Sequence, residues 1–231
     1  MPSDAESRAP DGARDLVGDQ DVNYRIIREN VTRLLEGRRD AAALAVPACP
    51  GWTVYDTVKH LVTTCRLAER NLVGRPRRRA RDGLPQLLAE WVRSGARVEQ
   101  GLRKASGGAG AVLVMDGYTH EADIRHALAL PPQAAHPALR AALELAVDGF
   151  RAAVLARGYP ALRLETASEA WDVGDGVPKA VLFGPGHELY RSLVGRRTLQ
   201  QIRDLSWTAD PTVWLPAFSW GPFRPPLAPV E

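Results

Sequence analysis

The sequence predicts a mainly helical fold: an antiparallel helical bundle, followed by a small α/β domain that begins near Pro160. Between residues 21 and 157, apolar side chains recur with the period of amphipathic helices. After Gly158 the period changes, and Leu162, Leu164 and Thr166 alternate as in a half-buried strand. The chain has 231 residues, of which 45% are apolar, so it can form one large domain or two modest ones with real cores.

Five amphipathic segments form the predicted bundle, which we place at residues 21–158 after a disordered leader at residues 1–20. They run from Asp21 to Arg39, from Thr53 to Val73, from Leu84 to Lys104, from Ala111 to Leu130 and from Pro137 to Arg157. Thr53 stands where an N-cap belongs, and Asp56 follows three residues later. This pattern predicts a capping box with aspartate in place of glutamate.

The C-terminal domain is placed at residues 159–231. The segments Ala170–Val173 and Lys179–Phe183 flank a Gly174–Gly176 turn, which predicts a β-hairpin. A short helix is expected over His187–Val194, and Thr198 is expected to cap another.

Composition narrows the class of protein. The leader has no apolar core like that of a secretory signal, and no run of 18 apolar residues predicts a membrane helix. Cys49 and Cys65 do not form a Cys-x-x-Cys pair, so a reducing cytoplasm is expected. A net charge of +3 is too small to argue for nucleic acid. The five arginines of residues 75–81 favour a solvated loop, with contact to an acidic partner or to nucleic acid as alternatives.

Two residue pairs on predicted helices carry possible chemistry. Asp116 and His120 are four residues apart, which places both side chains on one helix face, about 6 Å apart at Cβ. Such a pair binds a metal or is an ordinary surface pair, and Asp123 lies on the same stripe. On the second helix, His60 lies on a polar strip between the apolar and charged faces. A histidine at this position either lines a cavity inside the bundle or lies at the core boundary with a hydrogen bond to a neighbour.

Other candidate motifs are weaker. His120-Glu121 lacks the second histidine of a zincin motif, and the chain has no nucleophile elbow, P-loop or dinucleotide fingerprint. Cys49, in a turn beside Trp52, has no adjoining histidine and is interpreted as structural. The remaining histidines are expected to be solvated, capping or surface groups: His126, His136 and His187.

Three sequence blocks resemble the mycothiol-dependent maleylpyruvate isomerase family. The first is Val-Pro-Ala-Cys-Pro-Gly-Trp-Thr-Val at 46–54, with His60 downstream. The second is Tyr-Thr-His-Glu-Ala-Asp-Ile-Arg-His-Ala-Leu at 118–128. The third is Glu-Leu-Tyr-Arg-Ser-Leu-Val-Gly-Arg-Arg-Thr at 188–198, followed by Trp-Thr-Ala-Asp-Pro at 207–211. The resemblance runs from about Asn23 to the end.

The resemblance implies a DinB-like antiparallel four-helix bundle followed by a small C-terminal α/β domain. It also implies a divalent metal, of which zinc is the first choice, and mycothiol as the thiol cofactor. By position, His60, Asp116 and His120 are the implied metal ligands and catalytic residues. The family's isomerases have glutamate where this chain has Asp116, so the resemblance leaves the substrate open.

A metal with three protein ligands keeps one coordination position open. A thiol that enters this position loses its proton and attacks an electrophilic carbon. The outcome is cis–trans isomerisation of a maleylpyruvate-like acid or thiol S-transfer. Arg196 and Arg197 are the candidates for binding an anionic cofactor or substrate, although arginines at a helix end also interact with its dipole.

The expected partners are a small-molecule electrophile and a low-molecular-weight thiol. Neither nucleic acid nor membrane is expected, and the chain is expected to be a monomer or homodimer. The alternative function is a non-catalytic metal- or ligand-binding bundle that acts as a sensor or binds a partner protein.

Overall fold

The computed structural model describes residues 19–74, 83–105, 110–133 and 135–231. The predicted leader lies outside the described residues up to residue 18, and Gln20 already begins the first helix. The arginine-rich segment 75–81 also lies outside them.

Among the described residues, five long helices lie in the first two thirds of the chain, as the apolar periodicity predicts. They are α1 (Gln20–Leu35), α2 (Val54–Val73), α3 (Leu84–Lys104), α4 (Ala111–Ala127) and α5 (Leu139–Ala156). Helix α1 is shorter than expected, because Gly37 adopts a left-handed φ of 73° and a short 3-10 helix follows at Asp40–Ala43.

Helices α1 to α4 form a four-helix bundle in which α1 contacts α3 and α4, and α2 contacts the same two helices. The bundle core is mainly apolar, and its buried polar contacts include the hydrogen bond that Trp91 Nε1 donates to Tyr24 Oη at 2.8 Å. The predicted capping box begins α2: Asp56 N donates to Thr53 Oγ1, and Thr53 N donates to Asp56 Oδ2 at 3.0 Å. This cap fixes the rotational start of the helix that carries His60.

Helix α5 joins the bundle to a small mixed sheet, since it contacts α4 on one side and β2 on another. The strands are β1 (Leu162–Glu165), β2 (Ala170–Val173), β3 (Ala180–Phe183) and β4 (Ser206–Trp207), in the order β2-β1-β3-β4. β1 is antiparallel to β2 and parallel to β3, and β4 is antiparallel to β3.

The predicted hairpin between residues 170 and 183 is wrong, because both of its strands pair with β1 and not with each other. The tight turn lies earlier, where Glu169 N donates to Thr166 Oγ1 at 3.0 Å. Gly174 has a φ of 93° and packs against the Ala161 backbone, so the chain crosses to the far side of β1 at this point. The buried Leu162 and Leu164 are consistent with the position of β1 as an inner strand between β2 and β3.

Two short helices complete the fold: α6 (Gly186–Leu193) and α7 (Leu199–Arg203). Helix α6 packs on α5, and α7 begins with the capping box that Thr198 forms with Gln201. The link between them carries Arg196, which pairs with Asp123 of α4, and Arg197, which pairs with Glu188 of α6. None of the helices in the described ranges combines the length and apolarity needed to span a membrane.

Candidate metal centre

Three predicted site residues from two helices converge at the edge of the bundle. His60 Nε2 lies 3.0 Å from Asp116 Oδ1, and His120 Nε2 lies 3.6 Å from the same oxygen. One ligand atom from each residue falls within 4.8 Å of the others. The structure therefore brings His60, Asp116 and His120 together, and we refer to them as the triad.

The triad forms because two local regularities meet. Asp116 and His120 are one helical turn apart on α4, and His60 lies on the polar strip of α2, which packs against α4. The side chains are 31% exposed for His60, 25% for Asp116 and 10% for His120. The group is therefore sheltered by the bundle and still reachable from solvent.

Trp52 packs against both histidines of the triad. Its ring centroid lies 5.3 Å from that of His60 and 5.9 Å from that of His120, and the His120 ring is stacked on it. The indole reaches this position because Gly51, with a φ of 81°, turns the chain just before it. Trp52 thus restricts the rotation of both imidazoles.

Asp123 orients His120 from behind. Its Oδ2 lies 3.1 Å from His120 Nδ1, where a carboxylate oxygen accepts a hydrogen bond from the ring, and Nε2 faces Asp116. A carboxylate on the distal nitrogen of a histidine is the usual support of a metal ligand. The spacing of three residues on one stripe was the sequence signal for this contact, but it did not place Asp123 among the predicted ligands.

Asp123 is itself wholly buried and held by two arginines. Arg191 Nη2 donates to its Oδ1 at 2.6 Å, and Arg196 Nη2 donates to its Oδ2 at 2.9 Å. Burial acts to raise the pKa of Asp123, but Arg191 and Arg196 outweigh it and hold the pKa well below its usual range. Asp123 is therefore an anion at neutral pH.

His60 is polarised by its contact with Asp116. Its hydrogen bond to Asp116 raises the pKa of His60 above its ordinary value, although burial opposes the shift.

Cys49 also lies at the site, which corrects its interpretation as a purely structural turn residue. Its Sγ is 4.0 Å from His120 Nδ1 and 3.6 Å from Asp123 Oδ2, and Arg196 Nη2 lies 3.6 Å away on the other side. Burial, and next the charge of Asp123, raise the pKa of Cys49 to about 11, so it is a neutral thiol at pH 7. Nothing adjacent in sequence signals this contact, because His120 lies 71 residues away.

Among the residues that the structure describes, two donor sets that share His120 are geometrically able to hold a metal: the triad, and Cys49 with His120 and Asp123. The second set is unsuited electrostatically, because both carboxylate oxygens of Asp123 already face guanidinium groups. In the triad, Asp116 contacts the two imidazoles and the Thr64 hydroxyl. One carboxylate with two imidazoles fits zinc or a related divalent ion.

The structure separates the two arginines proposed for anion binding. Arg196 lies on the triad side, against Asp123 and Cys49. Arg197 turns away, and its guanidinium is held by Glu188 at 2.8 and 2.9 Å and by Glu231 at 2.5 Å. The two residues therefore serve different regions of the molecule.

The expectation of a solvated His136 is wrong. His136 accepts a hydrogen bond from Ala138 N through Nδ1, and its Nε2 lies 3.0 Å from Glu121 in a buried pair. His187 is partly buried and lies 3.3 Å from Tyr118 Oη. Burial, assisted by Arg191, lowers the pKa of His187 to about 4.

The fold and the site together define a helical-bundle protein with a two-histidine, one-carboxylate cluster where α2 meets α4. Comparison with known families adds an independent finding. The model of the family described as the mycothiol maleylpyruvate isomerase N-terminal domain matches residues 24–130. The helical region of this chain is therefore similar to that family, and the resemblance inferred from the sequence is confirmed.

Two solved structures are similar to this chain. One is a crystal structure of the mycothiol-dependent maleylpyruvate isomerase, and the other is that of a histidine-to-alanine mutant. Each has 14% sequence identity, covers 84% of this chain and 93% of its own, and has a TM-score of 0.48. No curated protein sequence matches the chain.

Proposed function

We propose that this protein is a metal- and mycothiol-dependent enzyme that adds a thiolate to an electrophilic carbon of a small anionic molecule. The product is a cis–trans isomer of a maleylpyruvate-like acid or a thiol S-conjugate. The observation that carries the proposal is the convergence of His60, Asp116 and His120, with Asp123 supporting His120 from behind.

In this proposal the triad holds one divalent ion, and zinc matches its donors best. The bound ion would supply Lewis acidity, which lowers the pKa of a thiol and makes the thiolate available at neutral pH. Asp123 keeps the proton on Nδ1 of His120, so that Nε2 stays available to the ion. Trp52 packs against both imidazoles and restricts their rotation.

Arg196 has the role of a positioning residue. Its guanidinium keeps Asp123 ionised and donates to Val194 O at 2.9 Å, which fixes it beside Cys49. A fixed positive charge at this edge of the site also favours an anionic substrate or cofactor. We propose this second role for Arg196 alone, since Arg197 faces another cavity.

The substrate depends on Asp116. Aspartate reaches one methylene less far than the glutamate that the family's isomerases are expected to carry at this position. The electrophile is therefore proposed only as a class: a conjugated acid or another carbon electrophile that a thiolate attacks.

The first test is elemental analysis of the purified protein and of a His60→Ala variant. We expect near-stoichiometric metal in the wild type and loss of metal in His60→Ala, because two remaining ligands hold zinc poorly. His126→Ala is the matched control, since His126 is an exposed histidine on α4 outside the triad. Equal metal content in all three proteins would contradict the triad.

The second test is mass spectrometry of the reaction products. The metal-loaded protein is incubated with mycothiol and either maleylpyruvate or a bimane electrophile. Isomerised acid or a thiol adduct that His60→Ala does not form supports the enzyme. Metal binding without either product would favour a non-catalytic metal-binding bundle.

A further inference from the structure

A cavity lies on the face of α4 opposite the triad. It has a volume of about 200 Å³, and Tyr118, Ala122 and Arg125 line it from α4. These residues are four and three positions apart, so they form a stripe on the side of the helix away from Asp116, His120 and Asp123. The cavity is thus separate from the proposed metal site.

Charged side chains of both signs line this cavity: Arg125 and Arg197 together with Glu121 and Glu231. Arg191 lies behind the lining and pairs with Glu231. Arg191 is fully buried, and the Arg197 side chain is only 11% exposed. Both donate to the Glu231 carboxylate: Arg191 Nε at 3.0 Å and Arg197 Nη1 at 2.5 Å, to the same oxygen. A carboxylate is therefore bound between two guanidinium groups at the edge of the cavity.

The charges of this cluster balance only when Glu231 is present. The described residues that pair directly here are three arginines and three carboxylates: Arg191, Arg196, Arg197, Asp123, Glu188 and Glu231. Removal of Glu231 would leave three positive charges against two negative ones in a buried setting. Such an excess is costly unless another anion replaces the lost one.

The segment that carries Glu231 lies at the surface of the protein. No residue from 221 to 231 is buried, and Leu227 is fully exposed. Besides its carboxylate contacts, Glu231 accepts one hydrogen bond, from Gln201 Nε2 at 3.2 Å. The carboxylate can therefore leave the arginines without disturbing the packed core.

The walls of the cavity suit the apolar body of a small acid. Leu130, Pro132 and the Tyr118 ring supply apolar surface, and His187 lies beside the phenol. A ligand with a flat apolar part and one carboxylate would contact the apolar walls and pair with the guanidinium groups.

We propose that this cavity binds a small organic carboxylate, whose anionic group takes the place of Glu231 between Arg191 and Arg197. Glu231 acts as an internal competitor that occupies the anion position when no ligand is present. The site does not depend on the proposed enzymatic function, and a failure of either leaves the other standing.

The experiment is a titration of the full-length protein with benzoate, followed by side-chain NMR of its five histidines. His126, His136 and His187 line the cavity, whereas His60 and His120 belong to the triad. We expect benzoate to shift the resonances of His126 and His187 and to leave those of the triad in place. Shifts confined to His60 and His120, or no saturable shift, would overturn the proposal.

Two variants test the competition. Glu231→Gln should bind benzoate about tenfold or more tightly, because a charge-assisted competitor is removed. Glu169→Gln is the matched control: it removes the same charge from an ion pair with Arg140 that lies outside this cluster, and should bind like the wild type. Equal affinities in the wild type and Glu231→Gln would refute the displacement.

A double variant guards against an indirect effect of the Glu231 change. Glu231→Gln combined with Arg197→Gln should lose the gain in benzoate affinity, while its thermal unfolding stays cooperative. A double variant that binds as tightly as Glu231→Gln would show that Arg197 does not hold the anion, which would overturn the site.

Discussion

Replacement of Asp123 by asparagine tests the support of the proposed metal centre. The substitution keeps the size of the side chain and removes its charge. Asp123 is wholly buried and holds His120 Nδ1, Arg191 and Arg196. Loss of a carboxylate behind a metal-binding histidine lowers metal affinity by about 10- to 100-fold. We expect this loss of affinity in Asp123→Asn.

The same change has a separate effect on stability. It leaves two buried guanidinium groups facing a neutral amide, and breaking a buried ion pair in this way costs about 3–5 kcal/mol. Small domains are stable by about 5–15 kcal/mol, so the variant should still fold. The free energy of unfolding is measured by urea denaturation, and metal affinity by competition with a coloured chelator at pH 7.

Asp172→Asn is the matched control for this experiment. It removes the same charge from a pair with Arg163 on the exposed sheet surface, where both side chains are nearly half exposed. We expect neither metal affinity nor unfolding to change measurably. The reasoning is refuted if folded Asp123→Asn binds metal as tightly as the control does.

Two further predictions concern stability. His187 has a pKa of about 4 in the folded chain against 6.5 ordinarily, so the unfolded state takes up a proton first as the pH falls. The wild type should therefore lose stability between pH 6.5 and 4, by up to about 3 kcal/mol before allowance for partial exposure. His187→Gln should lose less over this range in urea denaturation, and parallel pH profiles would count against the shift. Gly149→Ala places a Cβ within the Trp220 ring, so we expect a loss of about 1–3 kcal/mol in the same assay. An unchanged midpoint would show that Trp220 moves aside freely.

Local patterns predicted the helical part of the protein well. The capping boxes at Thr53 and Thr198 join residues three positions apart, so no distant contact is needed to form them. The pairing of Asp116 with His120 on one face is local in the same way, because it depends only on the pitch of α4. The polar strip that carries His60 also follows from counting residues around one helix.

Strand pairing was beyond such patterns. The sequence after Gly174 predicts the second strand of a hairpin, but β3 pairs in parallel with β1. The alternation of side chains shows which face of a strand is buried, but it does not identify the neighbouring strand. The partner was decided by the burial of β1 between two other strands.

The sequence by itself determined the helices, the small sheet region and the faces on which His60, Asp116 and His120 lie, because these depend on periodicities of a few residues. Only the tertiary structure decided the contacts of Cys49 with Asp123 and of Arg191 with Glu231, which join residues 74 and 40 positions apart. These contacts arise from the packing of helices and turns whose relative placement no short sequence pattern encodes. Buried charges such as Asp123 persist only where that packing supplies opposite charges, so their partners become known once the elements are assembled.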